Sequence, residues 1–201
     1  MNTVIRNISI VPTELIDNCL LEISTIDWKN PEFPDRRNLA PVFKTSHAIH
    51  LRVHDSTNNN HHASLTPAEN IAAYSAIIAC IDTPMRQKLP ATDALLLWVY
   101  TSVNGRSLGR IMLVNLLAGG NVGSHIDPGI YFETYKRFHV PLISNEQVVF
   151  TGSEDGQNYH MPTGVLGQLN NGKLHGIQNN SKFDRIHLIA DIATDSQEFK
   201  F

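Results

Sequence analysis

The sequence has few cysteines, no surplus of basic residues and no long apolar run. Its 201 residues contain only Cys19 and Cys80, which are too few and too far apart for a disulfide framework. We therefore expect a reducing, cytoplasmic compartment, in which each thiol is a small buried apolar group. The net charge of -3 disfavours nucleic acid as a partner, because phosphate-binding surfaces usually carry a basic excess.

The short apolar runs of the sequence disfavour membrane insertion. The longest apolar run, Ala94–Tyr100, is far shorter than the ~18 residues that a membrane helix needs. The first residues, MNTVIRNISIVP, lack the basic leader and apolar run of a signal peptide. The chain length fits a single domain, 1–201, with a sizeable core.

Residues 1–108 are predicted to form a helix-rich N-terminal support. We expect a helix from about Thr13 to Glu22, and a second that starts at the capping box Thr66–Glu69 and runs through Ile81. The run Ala94–Val103 fits either a helix or a buried strand, and we favour a helix. Between the helices, Pro41–Val53 is rich in β-formers and predicts a strand.

Residues 109–192 change in character, because short apolar runs now alternate with Gly, Asn, Asp and Pro. Such spacing predicts a mainly β domain with flanking helices, a sandwich or barrel like the cupin jelly roll. The expected strands are Arg110–Leu117, Tyr135–Ile143, Gln147–Thr151, Val165–Asn170, Leu174–Gln178 and Arg185–Ile192.

Three residues of this half form a candidate metal site. His125 and Asp127 are two apart on an extended segment, so both side chains can face one ion. His175 follows the Asn171-Gly172 turn on a later strand. Two neutral imidazoles and one carboxylate on one face of a metal are the facial triad of non-haem iron(II) oxygenases.

Arg185 lies ten residues after His175, with one turn between them. That separation can place its guanidinium on the neighbouring strand, deeper in the same barrel. A planar fork of donors suits a dicarboxylate held by its far end, and 2-oxoglutarate is such a molecule. Its keto-acid end would then chelate iron.

Each of these patterns is weak alone, and other interpretations stay open. The histidines of a cupin-like barrel can be structural or bind another metal, as in an isomerase or a ring-cleaving dioxygenase. A catalytically silent binding module is a further alternative. His187 is interpreted as a packing neighbour of the site and not as a ligand. Tyr131, Tyr135 and Lys136 are interpreted as exposed loop residues, with a position at the entrance as the alternative.

Four blocks, in this order, resemble the aspartyl/asparaginyl β-hydroxylase family over about Gly109–Asp191. They are Ala118–Asp127 (AGGNVGSHID), Arg137–Leu142 (RFHVPL), Asn170–Asn179 (NNGKLHGIQN) and Asp184–Asp191 (DRIHLIAD). The resemblance implies a double-stranded β-helix that uses Fe(II) and the co-substrate 2-oxoglutarate. It does not extend to the first hundred residues.

The resemblance also implies roles for individual residues. It makes His125 and His175 metal ligands and Arg185 the anchor of the distal carboxylate of 2-oxoglutarate. Arg137 and His139 match an R-x-H block that lines the site and contacts co-substrate or substrate. Some family members lack the carboxylate, whereas this chain has Asp127. A carboxylate fills the position that a halide would need, which favours hydroxylation over halogenation.

The implied reaction is oxidative decarboxylation of 2-oxoglutarate by molecular oxygen, coupled to hydroxylation of a substrate C–H bond. Relatives that act on secreted domains or on lipids carry recognition or membrane segments that this sequence does not show. We therefore expect an amino acid, a peptide or a small amino-acid-derived metabolite as substrate.

Overall fold

The computed structural model describes residues 4–30, 43–55, 79–127, 129–151 and 156–196. Within these residues the chain forms ten strands and four helices. In chain order they are β1 (Ile5–Ile10), α1 (Thr13–Ile23), β2 (Ser46–His54), β3 (Cys80–Asp82), α2 (Pro84–Lys88), α3 (Pro90–Ser102), β4 (Gly105–Leu116), β5 (Asn121–His125), α4 (Ile130–Thr134), β6 (Lys136–Ile143), β7 (Val148–Thr151), β8 (Val165–Leu169), β9 (His175–Asn179) and β10 (Arg185–Thr194).

The strands form two antiparallel sheets. The large sheet has the order β1-β8-β6-β10-β4-β2-β3, and the small sheet has the order β5-β9-β7. The fold is a double-stranded β-helix of the cupin-like jelly-roll kind, with helices flanking the large sheet. The mainly β fold expected from residues 109–192 is therefore confirmed.

Two central strands of the large sheet, β6 and β10, have two different faces. One set of alternating residues packs with α1 and α3 in the main core: Phe138, Val140, Leu142, Ile186, Leu188, Ala190 and Ile192. The residues between them point the other way, because successive side chains of a strand alternate. That inner face carries Arg137 and His139 on β6, and Arg185 and Ile189 on β10. The alternation of apolar and polar residues thus separates the core from the site.

The first 108 residues contribute helices and also strands. Strands β1, β2 and β3 all join the large sheet, with β1 against β8 and β2 against β4. The predicted helices at Thr13 and Ala94 are confirmed as α1 and α3. Among the described helices, none has the length and apolar character needed to cross a bilayer.

One predicted helix is wrong at its end. The capping box Thr66–Glu69 lies outside the described residues, but Ile81, placed in that helix by its spacing, lies in strand β3. Strand β3 pairs with β2 so that Asp82 is opposite Arg52, and the two side chains form an ion pair. Hydrogen bonding to the edge of β2 outweighs the helical spacing of Ile81, because such local preferences are weak compared with tertiary pairing.

Candidate metal centre

His125 and His175 face each other across two neighbouring strands. They are direct partners in the register between β5 and β9, and their ring centroids are 4.4 Å apart. Asp127 follows two residues after β5 ends. One ligand atom from each of the three residues lies within 4.8 Å of the other two, a spacing that small side-chain rotations can close around one ion. The structure therefore brings together the three predicted ligands.

Backbone carbonyls set the tautomer of both histidines. Nδ1 of His125 is 2.8 Å from the Gly123 carbonyl oxygen, and Nδ1 of His175 is 2.8 Å from the Lys173 carbonyl oxygen. A carbonyl oxygen only accepts, so each Nδ1 carries a proton and each Nε2 keeps its lone pair. These Nε2 atoms lie 3.7 Å and 3.9 Å from the Asp127 carboxylate oxygens. Burial lowers the pKa of His175, which favours the neutral imidazole that a metal requires.

Asp127 is held as a carboxylate by two donors. Its Oδ2 accepts hydrogen bonds from Arg137 Nη1 at 2.8 Å and from the Asn171 side-chain amide at 2.9 Å. Burial opposes ionisation of Asp127, but the Arg137 charge, the two histidines and the Asn171 hydrogen bond outweigh it. The pKa of Asp127 is therefore below its usual value. Two imidazole nitrogens and one carboxylate oxygen are the donor set of a facial iron(II) site, which these residues fit.

A cavity of about 480 Å³, counted with its open mouth, connects this cluster to the predicted co-substrate residues. Both ligand histidines line it, together with Arg137, His139 and Arg185. The sequence placed Arg185 on a strand next to that of His175. Instead, β9 and β10 belong to different sheets, so Arg185 lines the cavity from the large sheet and His175 from the small one.

Arg185 lies deep in this cavity. It is 3% exposed, and its guanidinium carbon is 5.7 Å from the centre of the Phe150 ring. Its Nη2 hydrogen bonds to His187 Nδ1, which must accept because arginine only donates. Burial first, and then the neighbouring Arg185 charge, hold the pKa of His187 well below its usual value. His187 is thus a neutral, fully buried acceptor, in keeping with the packing interpretation of this residue.

Arg137 has different surroundings. Its Nε and Nη2 donate to the two oxygens of Asp191 at 2.8 Å and 2.9 Å, while Nη1 donates to Asp127. Burial disfavours the charge, but Asp191 and Asp127 together hold the pKa of Arg137 far above its usual value. Its predicted contact with co-substrate stays a prediction. His139 lies between the two arginines, with its Nδ1 3.4 Å from His187 Nδ1.

Sequence reasoning missed the residues behind the site. Asp191 is 0% exposed, and Tyr131, interpreted as a loop residue, is 1% exposed and donates its hydroxyl to Asp191 at 3.0 Å. Tyr135 is buried too, so only Lys136 of that trio keeps partial exposure. A signal for Asp191 exists: it falls on the same alternating face as Arg185, where a buried carboxylate requires a cation.

Residues 71–195 match the family model described as aspartyl/asparaginyl beta-hydroxylase, so the likeness extends into the first hundred residues, contrary to the expectation from the four sequence blocks. No curated protein matches the chain by sequence.

Solved structures resemble this chain in fold at low identity. An oxidoreductase of the 2OG-Fe(II) oxygenase family from Burkholderia pseudomallei has 10% identity and a TM-score of 0.54, with 89% of this chain and 77% of that chain covered. The viral collagen prolyl hydroxylase of Paramecium Bursaria Chlorella virus-1, solved with 2OG, has 9% identity and a TM-score of 0.52, covering 96% and 97%. A Trichoplax adhaerens prolyl hydroxylase, solved with a peptide of hypoxia inducible factor, has 8% identity and a TM-score of 0.57, covering 95% and 83%.

Proposed function

Because this chain belongs to the aspartyl/asparaginyl β-hydroxylase family of 2-oxoglutarate and iron(II) oxygenases, we propose that it hydroxylates a C–H bond of an amino acid, a peptide or a small amino-acid-derived metabolite. The observation that carries the proposal is the convergence of His125, Asp127 and His175 at a cavity that Arg185 also lines. That cavity contains donors for a metal and, at its other end, a buried cation for a carboxylate.

The three ligand residues would hold Fe(II), and Arg185 would bind the distal carboxylate of 2-oxoglutarate. Bound together, the metal and the co-substrate would supply oxygen activation, with 2-oxoglutarate converted to succinate and carbon dioxide. The protein's own residues bind and orient the reactants. The Gly123 and Lys173 carbonyls hold the imidazoles with Nε2 turned to the metal position. The apolar lining, which includes Val114, limits water around the reacting atoms.

A second cavity supports a polar substrate. It has about 850 Å³, counted with its open mouth, and Asp127 forms part of its wall. Two further charged groups and three side-chain amides line it: Glu133, Lys136, Gln168, Asn170 and Asn171. Amides and charges of both signs suit a backbone-like or zwitterionic molecule, which is the chemistry of an amino acid or a peptide.

We propose that the substrate reaches the metal site through this second cavity. In a succinate-formation screen of amino acids and peptides, Lys136→Gln should raise KM for the best substrate and change 2-oxoglutarate affinity little.

Hydroxylation is favoured over halogenation by Asp127. Its carboxylate lies within the ligand cluster and would occupy the position that a chloride ion needs. The measurement is the product mass of the wild-type protein at saturating chloride. Addition of oxygen alone is expected, and a chlorinated product would exclude Asp127 as a ligand.

The test of the proposal is anaerobic titration with Fe(II) and 2-oxoglutarate, followed by optical spectroscopy. The wild-type protein should show a charge-transfer band only when both are present. His125→Ala, Asp127→Ala and His175→Ala should each lose the band and the turnover while keeping the fold. His160→Ala is the matched control for iron binding, because His160 Nδ1 also contacts a carbonyl oxygen, that of Val148, but lies outside the cluster.

Each other result has a defined meaning. Undiminished iron affinity in His175→Ala would exclude the proposed triad and make His160 or His187 the candidate third ligand. Iron binding without 2-oxoglutarate binding would indicate a metal cupin that is not an oxygenase of this kind. Absence of both would indicate a catalytically silent binding module.

A further inference from the structure

A fully buried carboxylate, Asp191, lies behind the metal ligands and contacts none of them directly. We propose that Asp191 is a positioning residue for the metal site, acting through Arg137 to fix the orientation of the Asp127 carboxylate toward the two histidines. The inference rests on the proposed function, because it concerns the same iron site. It assigns this part of the molecule to metal binding and not only to folding.

The contact between Asp191 and Arg137 fixes the guanidinium in its plane. The two residues are direct partners in the register between β10 and β6, so their side chains rise from the same face of the large sheet. Two parallel hydrogen bonds, 2.8 Å and 2.9 Å long, join Nε and Nη2 to the two carboxylate oxygens. A bidentate fork of this kind sets orientation as well as energy.

Once Nε and Nη2 are fixed, the position of Nη1 follows, because the guanidinium is rigid and planar. Nη1 donates to Asp127 Oδ2, and the Asn171 amide donates to the same oxygen. With Oδ2 held by these two donors, Oδ1 lies 3.7 Å from His125 Nε2 and Oδ2 itself lies 3.9 Å from His175 Nε2. The orientation of Asp191 is in this way transmitted to the carboxylate of Asp127.

Further contacts hold Asp191 itself. The Tyr131 hydroxyl donates to its Oδ2 at 3.0 Å, and Arg110 Nε is 3.3 Å from the same oxygen. The chain makes room for this tyrosine at Gly109, where an added Cβ would lie 2.4 Å from the Tyr131 hydroxyl oxygen. Two arginines thus balance two carboxylates, Asp191 and Asp127.

Stability alone explains this arrangement poorly. A buried ion pair is often no more stabilising than apolar residues of the same volume, because both charges lose their hydration. A pair kept only for folding also has no need of the third contact, from Arg137 to Asp127. Groups that orient metal ligands typically change metal affinity by about 10- to 100-fold when altered.

The test uses Asp191→Asn, which keeps the size of the side chain and removes its charge. Co(II) is the probe, and its dissociation constant and visible absorption spectrum are measured on folded protein. We expect the dissociation constant to rise by about 10- to 100-fold and the spectrum to change, since the geometry of the ligands changes. Asp184→Asn is the matched control, because Asp184 accepts hydrogen bonds from the Asn115 side chain and the Ala118 backbone, neither of which belongs to this chain of contacts.

A double-mutant cycle tests whether the effect passes through Arg137. In an Arg137→Gln background, Asp191→Asn should change Co(II) affinity little further, because the route to Asp127 is already broken. If Asp191→Asn does not fold, Tyr131→Phe removes one hydrogen bond to Asp191 and should weaken Co(II) binding in the same direction, by less.

Two results would overturn the proposal. One is an unchanged Co(II) affinity and spectrum in Asp191→Asn, or in Tyr131→Phe where that variant replaces it. The other is an equal loss of affinity in the Asp184→Asn control. Failure of the proposed function is recognised separately in the wild-type protein, which would then bind no Fe(II) at this cluster or would bind Fe(II) without 2-oxoglutarate.

Discussion

The two ends of the cavity are each built around a buried arginine, and the two arginines have different neighbours. Arg137 lies between two carboxylates, Asp191 and Asp127, and uses all three of its nitrogens on them. Arg185 donates to a neutral imidazole, His187, and lies over the Phe150 ring. Residue type alone does not separate these arginines, since both are buried and both line the same cavity.

These different neighbours determine what each arginine can bind. The charge of Arg137 is balanced by groups of the protein, so a new anion there must compete with fixed carboxylates. His187 accepts a hydrogen bond from Arg185 without neutralising its charge. Arg137 is therefore the better candidate to hold the protein's own ligands in position, while Arg185, in the cavity that the ligand histidines also line, is the candidate to bind an external carboxylate.

The largest expected effect is the loss of stability on replacing Arg137. Arg137→Ala would leave a buried Asp191 charge without its bidentate partner, which should lower the free energy of unfolding by about 3–5 kcal/mol. Among the described residues, Arg185→Ala leaves behind a neutral acceptor, His187, so a smaller loss is expected. Urea denaturation of both variants at neutral pH checks this order, and equal losses would remove the distinction between the two ends.

The second effect concerns the affinity of the Arg185 end of the cavity for 2-oxoglutarate. Arg185→Ala should raise the dissociation constant of 2-oxoglutarate by roughly two to three orders of magnitude, the equivalent of losing one member of a buried ion pair, with iron affinity little changed. Isothermal titration of the iron-loaded protein under anaerobic conditions measures it. Arg86→Ala, which breaks exposed pairs with Asp82 and Asp93, is the control and should bind normally. A larger loss in Arg137→Ala would require the two arginines to exchange roles.

A smaller effect distinguishes the two ends by pH. The pKa of His187 is lowered in the folded protein. As the pH falls, the unfolded chain therefore binds a proton at this residue before the folded protein does, starting at about pH 6.5. Its contribution to stability is therefore full above about pH 6.5 and falls as the pH drops, by up to about 1.4 kcal/mol per pH unit. Relative to wild type, His187→Gln should lose less stability between pH 7.5 and 5.5. Identical pH profiles would show that the pKa of His187 is the same in the folded and unfolded protein, which would contradict its lowered value.

The smallest effect uses the thiols as reporters. Burial raises the pKa of both Cys19 and Cys80 to about 11, so both should react slowly with a thiol reagent at pH 8. Cys80 lies at the Arg137 end, where the charges of Arg110 and Asp191 act on it. Arg137→Ala should accelerate labelling of Cys80 several-fold, while Arg185→Ala should not. Cys19, against α3, is the internal control, and acceleration of both thiols would indicate general loosening.

The ligands could be predicted because their signals are local. His125 and Asp127 are two residues apart, and the Asn171-Gly172 turn announces the strand that begins at His175. The inner faces of β6 and β10 were readable for the same reason, since alternation along a strand needs no knowledge of its neighbours.

The contacts behind the ligands could not be predicted, because they depend on register. Asp191 meets Arg137 only through the pairing of β10 with β6, and it meets Arg110 at an irregularity between β10 and β4. Strand β1 is similar: it pairs with β8 across most of the chain. The prediction of a helix through Ile81 was wrong, because Ile81 continues the helical spacing of the apolar residues before it. The pairing of β3 with β2 cannot be read from that spacing.

The way the ligand cluster spans the two sheets has a mechanical consequence. His125 and His175 belong to the small sheet, while Asp127 is tied through Arg137 to the large one. An ion bound by all three would link the two sheets. Free metal at about 100 times its dissociation constant would then raise the free energy of unfolding by about 2.7 kcal/mol. Removal of the metal with a chelator should therefore increase amide hydrogen exchange first in β5 and β9, the strands that carry the two histidines.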